Sequence, residues 1–274
     1  MSLLRDRTAW LQGEPFGCLQ PPAATGSPWR LVLLGPPGAG KGTQSEMLAT
    51  VLGACPLSTA DIFRAACERS HAPGSAMAAA EEAMNYGELV PDDVVLGIIR
   101  DRRACLRCRG GFLLDGFPRT LPQAVTLDGL LAAEHLPLDA VICYDLPLHL
   151  LVERMAGRRV CPRCHALFHV TARPPRREGI CDYCGDRLRQ RTDDEPAAAR
   201  KRLEVYAGAT AQVVNYYASR RPVVPIDARG SPERILLRTL DALAARGFSV
   251  PATTARTGPA TPASSGHSTE SRET

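Results

Sequence analysis

The chain has 274 residues, of which 45% are hydrophobic and 23% are charged, and its formal net charge is +4. This apolar content is sufficient for one large domain and too high for a disordered chain. No stretch approaches the roughly 20 apolar residues that span a bilayer, so the sequence excludes a membrane protein. The modest charge does not by itself indicate a nucleic-acid-binding protein.

The two ends of the chain differ in composition from its middle. Residues 1–28 contain four prolines and little periodicity, and the chain from Ser249 onward is mostly Ala, Thr, Ser, Pro and Gly. Such segments bury too little surface to offset the entropy of ordering. We therefore predict disordered extensions at 1–28 and 249–274 around a folded domain at 29–248. The first ten residues lack the apolar core of an export signal, so we expect a cytoplasmic protein with reduced thiols.

Short apolar runs alternate with helical patterns in the middle of the chain. The predicted strands lie at 30–34, 53–57, 112–115, 140–145 and 222–227, and the clearest helical patterns lie at 43–52 and 197–219. This alternation predicts an α/β fold with helices on both faces of a five-stranded parallel sheet.

A glycine-rich loop follows the first predicted strand. Residues 35–41 read Gly-Pro-Pro-Gly-Ala-Gly-Lys, which fits a phosphate-binding loop between a strand and a helix. Glycines allow several backbone N–H groups to point inward, and Lys41 adds a full positive charge for the outer phosphates. The usual hydroxyl directly after the lysine is displaced here, because Gly42 precedes Thr43. Asp115 ends another predicted strand and is the candidate carboxylate for Mg²⁺.

Two Cys-x-x-Cys pairs interrupt the α/β pattern. Cys161 and Cys164 form the first pair, and Cys181 and Cys184 form the second. This spacing is typical of a zinc ribbon, in which four thiolates complete a tetrahedron and leave no open position for catalysis. Because the surrounding insert has almost no apolar core, we predict a structural zinc site. Two disulfides are the alternative, which a reducing environment disfavours.

Further motifs follow the glycine loop in a fixed order. They are Leu-Ser-Thr-Ala-Asp-Ile-Phe-Arg at 57–64, Gly-Glu-Leu-Val-Pro-Asp at 87–92, Asp-Gly-Phe-Pro-Arg-Thr at 115–120, Gln123, Arg-Met-Ala-Gly-Arg-Arg at 154–159, Arg-Thr-Asp-Asp at 191–194 and Arg-Leu-Glu-Val-Tyr at 202–206. Together these motifs resemble those of the adenylate kinase family, in the type with a long, zinc-binding lid. The resemblance covers roughly residues 29–248. It implies Mg²⁺-dependent transfer of the terminal phosphoryl group of ATP to AMP, giving two ADP, by a monomer.

The resemblance also implies a location and a role for individual residues. It places a helical AMP-binding insert at about 58–87 and the zinc lid at about 157–194, with Thr43 and Asp115 associated with Mg²⁺. The catalytic charges that it implies are Lys41, Arg119, Arg158, Arg191 and Arg202, because a guanidinium can hold phosphate oxygens bidentately. The implied ATP-binding residues are Gly38, Ala39, Gly40, Lys41, Gly42, Thr43, Arg154, Arg158, Leu167, Phe168 and Gly230. The implied AMP-binding residues are Thr59, Arg64, Glu88, Leu89, Val90, Gly116, Phe117, Pro118, Arg119, Gln123, Arg191 and Arg202.

Several positions leave more than one interpretation. Leu167 and Phe168 could pack near the donor base or make a plain hydrophobic contact. Asp193 and Asp194 could pair with lid arginines or cap the following helix. The family usually has glycine at the positions of Ala60, beside the predicted AMP pocket, and of His165, which could compete as a metal ligand. The remaining pair, Cys105 and Cys108, is predicted to lie in a loop, with metal or redox chemistry as the alternative.

Two other functions are weighed against the leading one. A kinase acting on UMP or CMP would use the same chemistry, but Thr59 and Gln123 favour adenine. A zinc-ribbon module for RNA or DNA could use the many arginines between Arg154 and Arg191. Such modules usually interleave aromatic residues for base stacking, whereas this insert offers only Phe168 and Tyr183. We therefore expect ATP, AMP and ADP as partners, without nucleic acid or membrane.

Overall fold

The computed structural model describes residues 8–12, 28–67, 75–164 and 166–251. Its strands in chain order are β1 (Trp29–Leu34), β2 (Cys55–Ser58), β3 (Gly111–Asp115), β4 (Ala140–Asp145), β5 (Arg158–Val160), β6 (Leu167–His169) and β7 (Val223–Asp227). Five of these form one parallel sheet in the order β2-β3-β1-β4-β7, while β5 and β6 form a separate antiparallel pair. The predicted α/β fold with a five-stranded parallel sheet is confirmed.

Helices connect the parallel strands, as the crossover from one parallel strand to the next requires. In chain order they are α1 (Thr8–Gln12), α2 (Lys41–Leu52), α3 (Thr59–Cys67), α4 (Ala76–Tyr86), α5 (Asp92–Asp101), α6 (Arg103–Leu106), α7 (Leu121–Ala133), α8 (Leu148–Gly157), α9 (Pro196–Val205), α10 (Ala211–Ala218) and α11 (Pro232–Ala244). Among the described residues, no helix combines the length and the apolar character needed to cross a bilayer.

The sheet separates two apolar cores. Val32 and Leu34 of β1 contribute to one core, and Leu31 and Leu33 contribute to the other. This alternation follows from the two-residue period of a strand, and both faces are apolar because helices cover both. All five parallel strands end at the same edge, so the segments after β1, β2 and β3 meet there.

The predicted helix over 197–219 is interrupted in the structure. It comprises α9, a π-helical turn at Tyr206–Thr210 and α10. Thr210 in this wide turn donates a hydrogen bond from its hydroxyl to the backbone oxygen of Arg119, at 3.0 Å. The apolar period continues through the turn, so the sequence pattern alone did not reveal the interruption.

The N-terminal prediction differs from the structure over one short stretch. Helix α1 lies within the extension predicted to be disordered, and Trp10 is 2% exposed in the core. The indole contributes a large apolar surface through which α1 packs against the core. Residues 1–7, 13–27 and 252–274 of the two predicted extensions lie outside the described residues.

Candidate active site

The glycine loop between β1 and α2 is closely packed against neighbouring backbone. Gly35, Gly38 and Gly40 have positive φ angles of 143°, 87° and 89°. A Cβ atom on Gly35 would lie 2.5 Å from the backbone oxygen of Tyr144, and one on Gly38 would lie 2.7 Å from that of Leu151. Both the backbone conformation and the space therefore require glycine here. The loop is held in a fixed shape at the N-terminus of α2, where backbone N–H groups favour an anion.

Lys41 lies at the centre of this loop. Its Nζ donates to the backbone oxygens of Gly35, at 2.6 Å, and Pro36, at 3.0 Å. Burial lowers the pKa of Lys41 from 10.5 to about 8, an effect that the nearby Asp115 opposes and surrounding arginines reinforce. The ammonium group thus has too little compensating negative charge, and a bound phosphate would supply it.

Asp115 ends β3 and faces the start of α2. A Cβ atom on Gly42 would lie 3.4 Å from Oδ2 of Asp115, so the carboxylate lies beside the helical turn that carries Thr43. Burial raises the pKa of Asp115, and the charge on Lys41 opposes this rise. A divalent cation would favour the ionised carboxylate and prefers oxygen ligands. The two side chains therefore fit a site for Mg²⁺.

A cleft opens beside the glycine loop. Of the predicted site residues, those that line it are Lys41, Thr59, Arg64, Glu88, Leu89, Val90, Gly116, Pro118, Arg119, Gln123 and Arg202. Phe117 instead is fully buried in the core. Most of the predicted acceptor residues therefore come together in one place.

Hydrogen bonds at the end of β3 fix the part of the cleft where the predicted acceptor residues lie. The backbone oxygen of Gly116 accepts from the Thr59 hydroxyl, at 3.0 Å, and from Nε of Arg119, at 2.9 Å. A Cβ atom on Gly116 would lie 3.1 Å from both side chains, and the φ of this glycine is +80°. Gly116 thus allows Thr59 and Arg119 to converge.

Gln123 is buried, and its amide oxygen and amide nitrogen each have a hydrogen-bond partner. Its Oε1 accepts from the backbone N–H of Arg119 at 2.8 Å, and its Nε2 donates to Oδ1 of Asp92 at 2.7 Å. The other oxygen of Asp92 accepts from the Thr120 hydroxyl at 2.9 Å, and Thr120 caps α7. Asp92 was not among the predicted site residues, although it closes the motif at 87–92. It holds Gln123 and Thr120 in place from the start of α5.

Two arginines, Arg158 and Arg202, pair with the acidic residues of the segment 193–194. Arg158 forms a bidentate pair with Asp194, and Arg202 contacts Asp193 at 3.0 Å and Asp194 at 3.1 Å. The side chains of Asp193 and Asp194 therefore pair with arginines, while the following helix α9 has no side-chain cap. Of the two interpretations left by the sequence, the structure favours ion pairing.

Two other buried arginines, Arg119 and Arg191, have less compensating negative charge. Burial, followed by the charges of Arg64 and Arg158, lowers the pKa of Arg191 to about 9, and its Nε has no hydrogen-bond partner among the described residues. Burial and the charge of Arg202 lower the pKa of Arg119 to about 10. Like charges this close destabilise one another, so the cluster is suited to an anion with several oxygens.

Arg154 lies beside the glycine loop. It donates from one terminal nitrogen to the backbone oxygens of Ala228, at 2.9 Å, and Gly230, at 3.3 Å. A Cβ atom on Gly40 would lie 3.8 Å from its other terminal nitrogen. The structure thus brings Arg154 and Gly230 together beside the loop, where the sequence placed them both with ATP.

The four lid cysteines are close together. The sulfurs of Cys161, Cys164, Cys181 and Cys184 all lie within 4.8 Å of one another. Four zinc-bound sulfurs at about 2.3 Å from the metal would be about 3.8 Å apart, so the cluster fits a tetrahedral ion. His165, the possible competing ligand, lies outside the described residues.

Phe168 belongs to the interior of the lid. It is 4% exposed, packs with Cys161 and Cys181, and its ring centroid lies 6.0 Å from that of Tyr183. This is the plain hydrophobic contact that the sequence left open, and it stabilises the lid around the thiols. Leu167 is partly exposed on the same strand, β6.

Several residues near the cleft were missed by the sequence reasoning. They include Met84, Val95, Val205, Tyr206 and Thr210, which line it. Apolar residues on amphipathic helices carry no separate signal for a binding surface, so only the fold could reveal them. 

The remaining Cys-x-x-Cys pair lies away from the lid. Cys105 is in α6 and Cys108 is in the loop before β3, where its sulfur lies 2.8 Å from that of Cys55.

Comparison with known proteins agrees with this geometry. The family model for adenylate kinase matches residues 33–221. Curated adenylate kinases from Carboxydothermus hydrogenoformans and Streptomyces coelicolor are 44% and 46% identical over 214 and 217 residues, covering 78% of this chain and 99% and 98% of the relatives. One from Moorella thermoacetica is 47% identical over 208 residues, which is 76% of this chain and 94% of the relative. The chain therefore belongs to the adenylate kinase family.

Proposed function

We propose that this enzyme transfers the terminal phosphoryl group of ATP to AMP in a Mg²⁺-dependent reaction that gives two ADP. The names of its relatives support this reaction. The observation that carries the proposal is the convergence of the buried, undercompensated cations Lys41 and Arg119 on one cleft. Arg191, which is also buried and undercompensated, adds its charge close to Arg64 of the cleft lining. Phosphoryl transfer needs little covalent help and depends on such positioned charge.

The donor is proposed to bind along the glycine loop. The N-terminus of α2 and Lys41 would hold its outer phosphates, with Arg154 and Gly230 beside them. When bound, Mg²⁺ would neutralise part of the phosphate charge, and Asp115 and Thr43 would hold it. The rigid loop favours one phosphate position, which reduces the entropy lost in reaching the transition state.

The acceptor is proposed to bind between α3 and the segment after β3. Thr59 and Gln123 would face its base, and Arg119 would hold its phosphate together with Arg64, Arg191 and Arg202. Asp92 keeps Gln123 in one orientation through its hydrogen bond, so the amide need not be ordered on binding.

The lid, with its boundaries at about 157 and 194, is proposed to be a zinc-bound element that closes over the phosphates. Arg158 would then contribute its charge to the transferring group. Closure would also exclude water, which would otherwise accept the phosphoryl group and turn the reaction into ATP hydrolysis. We propose that the enzyme acts as a monomer, as the family resemblance implies.

The test is ADP formation from ATP and AMP with Mg²⁺, run in parallel with UMP, CMP and GMP. We expect AMP to be converted with the highest kcat/KM and ATP alone to be hydrolysed slowly. If metal-replete protein converted none of the monophosphates, the proposed function would be wrong. Preferential conversion of UMP or CMP would retain the reaction but contradict the acceptor.

A further inference from the structure

Helix α1 makes a buried contact with the back of the acceptor region. Trp10 is 2% exposed and belongs to the same apolar core as Ile62 and Phe63 of α3. Its indole Nε1 donates to the backbone oxygen of Ser58 at 2.9 Å. Ser58 directly precedes Thr59, the first residue of α3. The tryptophan therefore fixes the point at which the chain leaves β2 and enters the acceptor insert.

A second tie joins α1 to the far side of the same region. Arg102, directly after α5, donates from Nε to the backbone oxygen of Trp10 at 2.5 Å and from a terminal nitrogen to that of Leu11 at 3.3 Å. A guanidinium at a helix C-terminus satisfies carbonyls that the helix itself leaves unpaired. Helix α1 thus connects Ser58 and Arg102, which lie on either side of the acceptor insert in the chain.

Helix α3 also lines the cleft. Thr59, Ala60, Phe63 and Arg64 all line it, and α1 packs against the same helix. Helix α3 therefore contacts both the proposed acceptor site and α1. Any displacement of α3 would move Thr59 and Arg64 together.

This contact belongs to a part of the chain outside the family match. The matched residues are 33–221, and the curated adenylate kinases align over 98% and 99% of their own length while covering 78% of this chain. We propose that α1 is an added element of the acceptor site, in which Trp10 is a positioning residue that sets acceptor affinity through α3. The inference rests on the proposed function, because it takes AMP to be the ligand of this side of the cleft.

Trp10 would affect AMP affinity by changing the fraction of molecules in which α3 has the position that binds AMP. Without the indole, α3 loses an apolar neighbour and the Ser58 oxygen loses its donor, so α3 can adopt other positions. The apparent dissociation constant rises in proportion as the competent fraction falls. The donor loop should be affected little, because Ala39 and Leu48 pack in the other core, across the sheet.

The experiment compares Trp10→Ala and Trp10→Phe with the wild type in the full chain. We expect Trp10→Ala to raise the KM for AMP about tenfold, as a tenfold fall in the competent fraction would, while the KM for ATP changes less than about twofold. Trp10→Phe keeps the apolar ring and loses the N–H donor, so it should have an intermediate KM for AMP. Calorimetric titration with AMP should show the same order of affinities without requiring turnover.

Trp29→Phe is the matched control. Trp29 is also buried, but it packs in the other core with its ring centroid 5.8 Å from that of Phe248. We expect this variant to lower Tm and leave the KM for AMP unchanged. If Trp10→Ala folds too poorly for measurement, Arg102→Gln removes the second tie while leaving the indole in place, and it should also raise the KM for AMP selectively.

The outcomes are distinguishable. A Trp10→Ala variant with a lower Tm and unchanged AMP affinity, or with equal losses in the KM values for AMP and ATP, would overturn the inference and leave α1 a purely stabilising element. If the wild type neither converts nor binds AMP, the proposed function fails, and the inference fails with it. If the wild type converts AMP and the Trp10 variants have the same KM for AMP, the inference is overturned while the proposed function stands.

Discussion

The glycine loop and the lid with its four clustered cysteines are supported in contrasting ways. The loop is packed against the backbone of Tyr144 and Leu151, at the edge of a sheet with a large apolar core on each face. The buried apolar cluster of the lid comprises only Cys161, Phe168 and Cys181 among the described residues. A large core can hold a poorly compensated charge such as Lys41 in place, whereas we expect an insert with so small a core to depend on metal bonds for its own fold.

The largest expected effect comes from breaking the metal support of the lid. Cys181→Ser removes one of four thiolates, and structural zinc in small domains contributes on the order of 10 kcal/mol. We expect the variant to lose its zinc to a chelator, to lose most of its kcat and to retain the helical signal of the sheet domain. Metal analysis after chelator treatment, circular dichroism and the coupled assay measure these three effects.

Cys143→Ser is the control for this change. Cys143 lies in β4, outside the lid cluster, so its variant should keep a full equivalent of zinc. If Cys181→Ser retained one equivalent as tightly as the parent, the four-thiolate site would be refuted.

The second-largest expected effect comes from removing the buried charge of Lys41. Lys41→Met should lower kcat by about 10³-fold, as does removal of a preorganised group that stabilises transition-state charge. The fold should remain, because the substitution removes a buried ammonium whose pKa is already lowered by burial. Lys201→Met is the matched control, since Lys201 is exposed in α9 and the two are the only lysines of the chain. Retained kcat in Lys41→Met would exclude a catalytic role.

The smallest expected effect is the titration of Lys41 itself. Its pKa in the ligand-free fold is about 8, below the ordinary 10.5, so folding disfavours its protonated form. The resulting decrease in the free energy of unfolding is fully present below about pH 8 and disappears as the pH rises toward 10.5. ATP affinity should fall over the same range, because the ammonium group is lost.

Carbon-13 labelling of the lysine Cε atoms tests this titration, with exposed Lys201 giving the second signal. We expect a midpoint near pH 8 for Lys41 in the ligand-free protein, and a higher midpoint with ATP bound. A ligand-free midpoint at the ordinary value of 10.5 would show that the loop does not desolvate the ammonium group.

The sheet, the glycine loop and the cysteine cluster were predictable because each has a local signature. Apolar runs alternate with helices, the glycine loop reads contiguously from Gly35 to Lys41, and each cysteine pair has a fixed spacing. The structure then brings Thr59, Gly116 and Arg119 together, as expected when parallel strands end at one edge.

Features that depend on distant partners were not predictable. Asp92 contacts Gln123 across 31 positions, and Trp10 contacts Ser58 across 48. Neither pair has a spacing that links its members in the sequence. The prolines and the lack of periodicity around Trp10 also favoured disorder. One indole hardly changes the average hydrophobicity of the 28 residues.

The wide turn at Tyr206–Thr210 has a consequence for changes in chain length. When a single π-helical turn absorbs a one-residue insertion, the later residues of the helix keep their orientation toward the core. Such turns often lie at functional sites. Removing Gly208 would therefore convert the turn to ordinary helix while Tyr217 stayed in the core. The wall of the cleft near Thr210 would change instead. This stretch offers a place where evolution or engineering can remodel substrate contacts by deleting one residue, with the hydrophobic interior left intact.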